Sequence, residues 1–168
     1  MTYRIVIMGV SGSGKSSVGA ALSNHLGIPY QDGDDLHPPA NVEKMRAGVP
    51  LTDADRWPWL DRVAQVLATD APVIVGCSAL RRGYRDRMRA GARGPVHFVH
   101  LWGSRDLIAA RMATRSGHYM PLSLLDSQFA TLEPPGPEEA ITVDIAEPPD
   151  QMVKTILRQL QDRSANRS

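Results

Sequence analysis

The sequence predicts an α/β protein: a five-stranded parallel sheet with helices on both faces. Three observations carry this. Short β-branched runs alternate with amphipathic stretches five times along the chain. The first run, "RIVIM", leads straight into the glycine-rich loop "GVSGSGKSS" at 9–17. The length, 168 residues, suits one domain with a sizeable core and leaves no room for a second.

The elements follow in order. "RIVIM" (4–8) is bounded by glycine and reads as a buried parallel strand. From Lys15 the period changes: Val18, Ala21, Leu22, His25 and Leu26 repeat at three- and four-residue steps, and Gly27 ends a helix over 15–26. "IPYQD" (28–32) is a second strand, with Pro29 tolerated near its start. A short helix over 39–48 stops at Gly48. "TDAD" (52–55) is a capping box with aspartate replacing the usual glutamate, and it opens a helix carrying Trp59, Leu60, Val63, Val66 and Leu67. Next come a strand at 72–77, a basic helix at 80–91, a strand at 95–102 and a helix at 104–115. An irregular loop at 116–121, a helix at 122–132, a strand at 140–145 and a closing helix at 149–163 complete the pattern, with a frayed tail at 164–168.

Composition narrows the function classes. Lys plus Arg is 19 against 18 for Asp plus Glu, a net charge of +1, so neither nucleic acid nor an anionic membrane is the expected partner. The lone cysteine, Cys77, excludes an internal disulfide and reads as a small buried hydrophobe. "MTYRIVIMGV" has no basic leader or cleavage site and its apolar run is too short for a bilayer, so a cytoplasmic location is expected.

The motif Gly9-x-x-x-x-Gly14-Lys15-Ser16 has the full P-loop spacing, between a strand and a helix as that motif requires. Its backbone N–H groups, over Gly9, Val10, Ser11, Gly12, Ser13, Gly14 and on into Ser17, are expected to converge on the phosphates of ATP. Lys15 carries charge to the β- and γ-phosphates, and the Ser16 hydroxyl is a Mg²⁺ ligand. No acid ends the third strand; the acids follow the second, in "QDGDDLH". Phosphoryl transfer to a hydroxyl calls for one carboxylate to accept or orient its proton and another to order the metal's waters. Asp34 is read as the first and Asp32 as the second, while Asp35 caps the following helix. The bland alternative is a polar turn.

An acceptor-binding segment is expected over about 33–70, containing His37, Asn41, Lys44 and Arg56. So many cations suit an acid better than a neutral polyol. Arg56 could grip a carboxylate in bidentate fashion, and Arg81 could reach the site from the end of the third strand. His37 is open between a ligand contact and a turn histidine bonded to backbone. Arg81, Arg85 and Arg89 share one helix face, for which plain solvation is the alternative, accepted for Arg89. Trp57 and Trp59 are expected to pack. Arg111 and Arg115 stand at the base of a lid over about 115–122, where they would bring charge to the transferring phosphoryl; a surface ion-pair role is the alternative.

"GVSGSGKS", "DGDDLHPPANVEKMRAGVPLTDADRWPWL", "CSALRRGYRDRMR" and "RSGHYM…LLDSQFATLEPP" together resemble the small P-loop gluconate kinases, over about residues 5–146. The second block is the specific one, since shikimate and nucleoside monophosphate kinases lack it. The resemblance implies a nucleoside-monophosphate-kinase-like P-loop fold and ATP-dependent phosphorylation of D-gluconate on its 6-hydroxyl, with ATP and Mg²⁺ as cofactors. Within the matched blocks, His118 and Gln128 join the acceptor contacts. Such kinases are often homodimers, and the resemblance allows one here. "RR" at 81–82 stands where lysine is also common, preserving charge though not geometry. The competing readings are another small-molecule kinase such as a shikimate-type enzyme, a nucleotide-sensing switch, for which no N-K-x-D motif is present, and an inactive binding protein, which would be expected to lack Lys15 or Asp34.

Overall fold

The computed structural model describes residues 2–113 and 122–165. Five strands, β1 (Arg4–Met8), β2 (Tyr30–Asp32), β3 (Val73–Gly76), β4 (His97–Trp102) and β5 (Ala140–Asp144), pair in the order β2-β3-β1-β4-β5, every pairing parallel. The helices are α1 (Lys15–Leu26), α2 (Pro39–Arg46), α3 (Asp53–Thr69), α4 (Arg82–Gly91), α5 (Arg105–Ala113), α6 (Leu122–Thr131) and α7 (Pro149–Ala165). The lid expected over 115–122, with Arg115 and His118, lies outside the described residues but for Leu122, and so does the end of the tail.

Strand alternation divides the core in two. Ile5 and Ile7 of β1, with Ile74, Val99, Leu101 and Ile141, face α1 and α7 on one side. Val6 and Met8, with Val73, Val75 and Phe98, face α3 and α4 on the other. The central strands β1 and β3 are buried on both sides, which is why their sequences read as continuous apolar runs and not alternating ones, whereas β2 at the sheet edge is only half-buried.

The element boundaries shift for local reasons. β2 begins at Tyr30 and not at Ile28, because Ile28 still closes α1: its N–H and that of Gly27 both donate to Ser23 O, with Gly27 left-handed at φ 66°. α2 ends at Arg46, and the same kind of closure, Val49 N–H to Lys44 O at 2.8 Å, runs through Gly48 at φ 73°. Asp32-Gly-Asp-Asp is a 3₁₀ turn over Gly33–Leu36, capped by the Asp32 carboxylate, which accepts from Asp34 N–H at 2.9 Å. α2 has Pro38 at its N-cap with no side-chain cap bond. The capping acid is therefore Asp32, and the capping role expected of Asp35 is not found. The capping box at Thr52 and Asp55 is present in both directions.

The basic face of α4 is the largest correction. Arg85 is only 1% exposed. It pairs through Nε with the Glu139 carboxylate, donates Nη1 to Ala79 O at 2.7 Å and Nη2 to Glu133 O at 2.9 Å. Arg89 reaches the same Glu139 at 3.3 Å and lies over the Phe98 ring, so it too does more than face water. The Arg85 bonds hold Ala79 in a left-handed conformation, φ 49°, which a non-glycine residue adopts only where its surroundings over-determine it. Burial pushes the Glu139 carboxyl up, but Arg85 and Arg89 outweigh that and hold it below its ordinary range.

A buried charge left without its partner costs about 3–5 kcal/mol. Glu139→Gln, which strands Arg85, is expected to cost on that order in urea unfolding at pH 7. Because the folded carboxyl titrates below the unfolded one, its contribution is complete above about pH 4.5 and is lost as pH falls through the folded value. The gap between wild type and mutant should narrow on acidification over that range.

Candidate active site

Every strand of a parallel sheet delivers the loop after it to one edge, and here that edge collects the chemistry. The loop after β1 turns sharply. Gly9 N–H donates to Ser78 O at 3.2 Å, Gly12 takes φ 82° and Gly14 φ 96°. A side chain on Gly12 would strike Met112 of α5 at 2.8 Å. Ser11, Gly12, Gly14, Lys15, Ser16 and Ser17 line an open cleft, together with Tyr30, Asp32, Asp34 and Gly76. Gly9, Val10 and Ser13 lie beneath it: Val10 is in the core, and the buried Ser13 hydroxyl has no hydrogen-bond partner.

Lys15 folds back onto its own loop, donating Nζ to Gly9 O at 3.0 Å and Val10 O at 3.1 Å. Burial lowers its pKa, while the charges of Asp34 and Asp32 oppose the shift. Asp34 stands across the cleft. Although its oxygens reach solvent, the surrounding walls displace enough water to raise its carboxyl above the ordinary range, with Asp32 adding repulsion and Lys15 opposing it. Buried Cys77, just below, has its thiol pushed up to about 12 by burial and is inert at neutral pH.

Two residues of the cleft carried no signal in the sequence reading. Tyr30 reaches Ser16 with its hydroxyl. Its side chain packs against Gly19 and Gly76, where an added Cβ would come within 2.3 Å of the ring and 2.1 Å of the hydroxyl respectively. The clue was available: Tyr30 and Asp32 are two apart on one strand and share a face. The last residue of β3 is glycine because the Tyr30 hydroxyl needs the room.

The expected acceptor residues divide. His37 is buried, stacked on Trp59 with ring centroids 4.1 Å apart, and its Nε2 is 4.0 Å from Asp34 Oδ1. Lys44 pairs with Asp55 Oδ2 at 2.7 Å, which draws its charge into the capping box of α3. The Asp55 carboxyl accordingly sits near pKa 2, held down first by Lys44 and then by the Thr52 backbone. Arg56 donates to the Tyr84 hydroxyl at 3.2 Å and to Asp53 at 3.4 Å, and the Tyr84 hydroxyl donates to Asp53 at 2.5 Å. Arg81 is exposed at the head of α4. Gln128 faces the phosphate loop: its Oε1 accepts from Ser11 N–H at 2.7 Å and its Nε2 donates to Ser11 Oγ at 3.0 Å. Arg111 reaches the end of β5, donating Nη2 to Ile145 O at 2.6 Å. Trp57 packs edge-on against Tyr84.

Comparison with known proteins places this geometry. An AAA domain family matches residues 5–135. The gluconokinase of Gluconobacter oxydans (strain 621H) is 47% identical, over 94% of this chain and 90% of that protein. The chain belongs to the gluconokinase family. The crystal structure of a gluconokinase from Sinorhizobium meliloti 1021 superposes with a TM-score of 0.90 at 50% identity, covering 98% of this chain and 94% of that one. The shikimate kinase of Aquifex aeolicus, at 19% identity and a TM-score of 0.62 over 96% of this chain and 98% of its own, shares the fold. Gluconokinases are ATP-using P-loop enzymes, and the cleft holds the loop such use requires. No helix among the described residues is long and apolar enough to cross a membrane.

The donor set suits magnesium. Among the described residues no three metal-binding side chains cluster. Ser16 and Asp32 instead offer hard oxygens on one cleft, the sparse set that Mg²⁺ takes when phosphates and water complete its shell.

Gly76→Ala places a methyl 2.1 Å from the Tyr30 hydroxyl and should displace it from Ser16. Overpacking of this kind costs about 1–3 kcal/mol. Adding Tyr30→Phe removes the clashing atom, so urea melts of the double mutant should recover part of that loss, with a non-additive cycle.

Proposed function

We propose that this member of the gluconokinase family transfers the γ-phosphoryl group of ATP to the 6-hydroxyl of D-gluconate, giving 6-phosphogluconate and ADP. The observation that carries the reading is the cleft itself, where the phosphate-loop residues Lys15 and Ser16 face the carboxylates of Asp32 and Asp34.

Each residue has a part. The loop N–H groups cradle the β-phosphate at the start of α1, where the helix dipole favours negative charge. Lys15 gives up its two carbonyl partners to reach the β- and γ-phosphates. Asp34 accepts or orients the proton of the 6-hydroxyl, and a carboxyl raised above its ordinary range is better suited to that than an ordinary one. Arg56, steadied by Tyr84 and Asp53, faces the carboxylate of the acid, with Arg81, Lys44 and His118 supporting acceptor binding. Arg111 and Arg115 bring charge to the transferring group. Magnesium, when bound, spreads the charge of the phosphates; Ser16 would hold it and Asp32 would order its waters.

ADP release measured against D-gluconate, shikimate and nucleoside monophosphates tests the reading, and gluconate alone should support turnover. Lys15→Ala should lower kcat by about 10²–10³-fold with the fold intact, since one lost charge contact in the transition state is worth several kcal/mol. Circular dichroism checks the fold; near-normal turnover in the folded mutant overturns the cradle assignment. Asp34→Asn should lower turnover with gluconate by about 10²-fold, the scale of a positioned base, and leave ATP affinity nearly unchanged. A mutant altered in ATP affinity alone would move Asp34 to the nucleotide side.

A further inference from the structure

The hydrogen bonds of Asn41 determine where His37 carries its proton. Asn41 is 3% exposed, and its side-chain nitrogen faces two partners: Asp55 O at 2.9 Å and His37 Nδ1 at 3.2 Å. A backbone carbonyl only accepts, so the Asn41 atom on that side is the NH₂ group and not the oxygen. Its second hydrogen points at His37 Nδ1, which must then present a lone pair. A neutral imidazole has one N–H, and that leaves it on Nε2. An imidazolium would set N–H against N–H. The other neighbours also favour the neutral ring: it is buried against Trp59, and the Arg56 charge lies close.

The Nε2 atom so defined faces Asp34 Oδ1 at 4.0 Å. That is too far for a direct hydrogen bond. It is near enough for one hydroxyl oxygen to lie within reach of both, accepting from Nε2–H and donating to the carboxylate. The reacting hydroxyl is a poor occupant, because a donor on its oxygen withdraws the electron density that attacks phosphorus. A hydroxyl on the adjacent carbon suits the gap, and it leaves Asp34 Oδ2 for the reacting one.

We propose that Asn41 locks His37 in the Nε2–H tautomer, and that this N–H and Asp34 Oδ1 together read the hydroxyl neighbouring the site of phosphorylation. His37 is then a neutral donor that determines specificity for a vicinal diol, and it is not a base. Asn41 is its positioning residue. Burial first, then Arg56, holds the His37 pKa down to about 4, which keeps the donor uncharged at neutral pH. The inference rests on gluconate as acceptor; its tautomer half does not.

Two measurements test it. In ¹⁵N-labelled protein without substrate, His37 should show an unprotonated Nδ1 and a protonated Nε2 at pH 7. Asn41→Leu should give a mixture. In kinetics, wild type should prefer gluconate over its 5-deoxy analogue by about 10-fold or more in kcat/KM, the scale of a lost hydrogen bond that strands polar groups. His37→Ala should lose most of that preference, keeping only what Asp34 Oδ1 alone supplies, with the KM for ATP unchanged. His37→Gln, which carries an N–H near the Nε2 position, should retain most of the preference, and His37→Asn should not. A wild-type Nδ1–H tautomer overturns the lock. A His37→Ala enzyme that keeps the full preference overturns the diol reading, and should that variant not fold, equal behaviour of the Gln and Asn variants does the same. Failure of gluconate as a substrate would appear separately, as absent turnover in wild type with the tautomer still readable.

Discussion

The placement of β1 between β3 and β4 is the constraint on which the rest of the site depends. A central parallel strand cannot turn back at its end, so the chain after Met8 must climb over the sheet edge before α1 begins. It does so in a loop whose first N–H is tied to Ser78, on the neighbouring strand's exit. That one bond joins the nucleotide loop to the segment leading into α4. The order of strands then places the acids after β2 one strand further along, across the cleft from Lys15.

On the acceptor side, the first turn of α3 acts as a hub. The Asp55 carboxylate receives Thr52 N–H at 2.9 Å and Lys44 at 2.7 Å, while its carbonyl receives Asn41. A local helix cap thereby holds α2 against α3 and, through Asn41, orients His37. Trp59, one turn further along, donates Nε1–H to Gly33 O at 2.8 Å and fixes the 3₁₀ turn that carries Asp34. Charges that look like ligand contacts in the sequence are spent in part on building this frame.

How much was legible follows from the range of the interactions. The phosphate loop, the capping box and all five strands were readable because their signals are local: glycine spacing, a four-residue box, runs bounded by turns. Asp32 and Asp34 were placed correctly beside Lys15, since strand ends in a parallel sheet share one edge. Arg85 was not readable as a core residue. Its periodicity matched a solvated face, and the acid that neutralises it lies 54 positions away. Lys44 and Gln128 carry chemistry suited to a ligand, and the sequence shows no sign of the bonds they make to Asp55 and Ser11, which are set by tertiary packing. Tyr30 was missed because an aromatic on a strand reads as core until the glycines beneath it are seen together.

Arg85 also bears on when the protein becomes whole during synthesis. Its three partners, Ala79, Glu133 and Glu139, come from both sides of β4 in the chain, and two of them emerge from the ribosome long after α4. Until then the guanidinium has no buried counter-charge, and nothing holds Ala79 in its left-handed turn. The nucleotide loop waits as well: β1 needs β3 and β4 beside it, and the Ser11 N–H finds its acceptor in Gln128, 117 positions on. A nascent chain would therefore complete neither binding half until translation was nearly over.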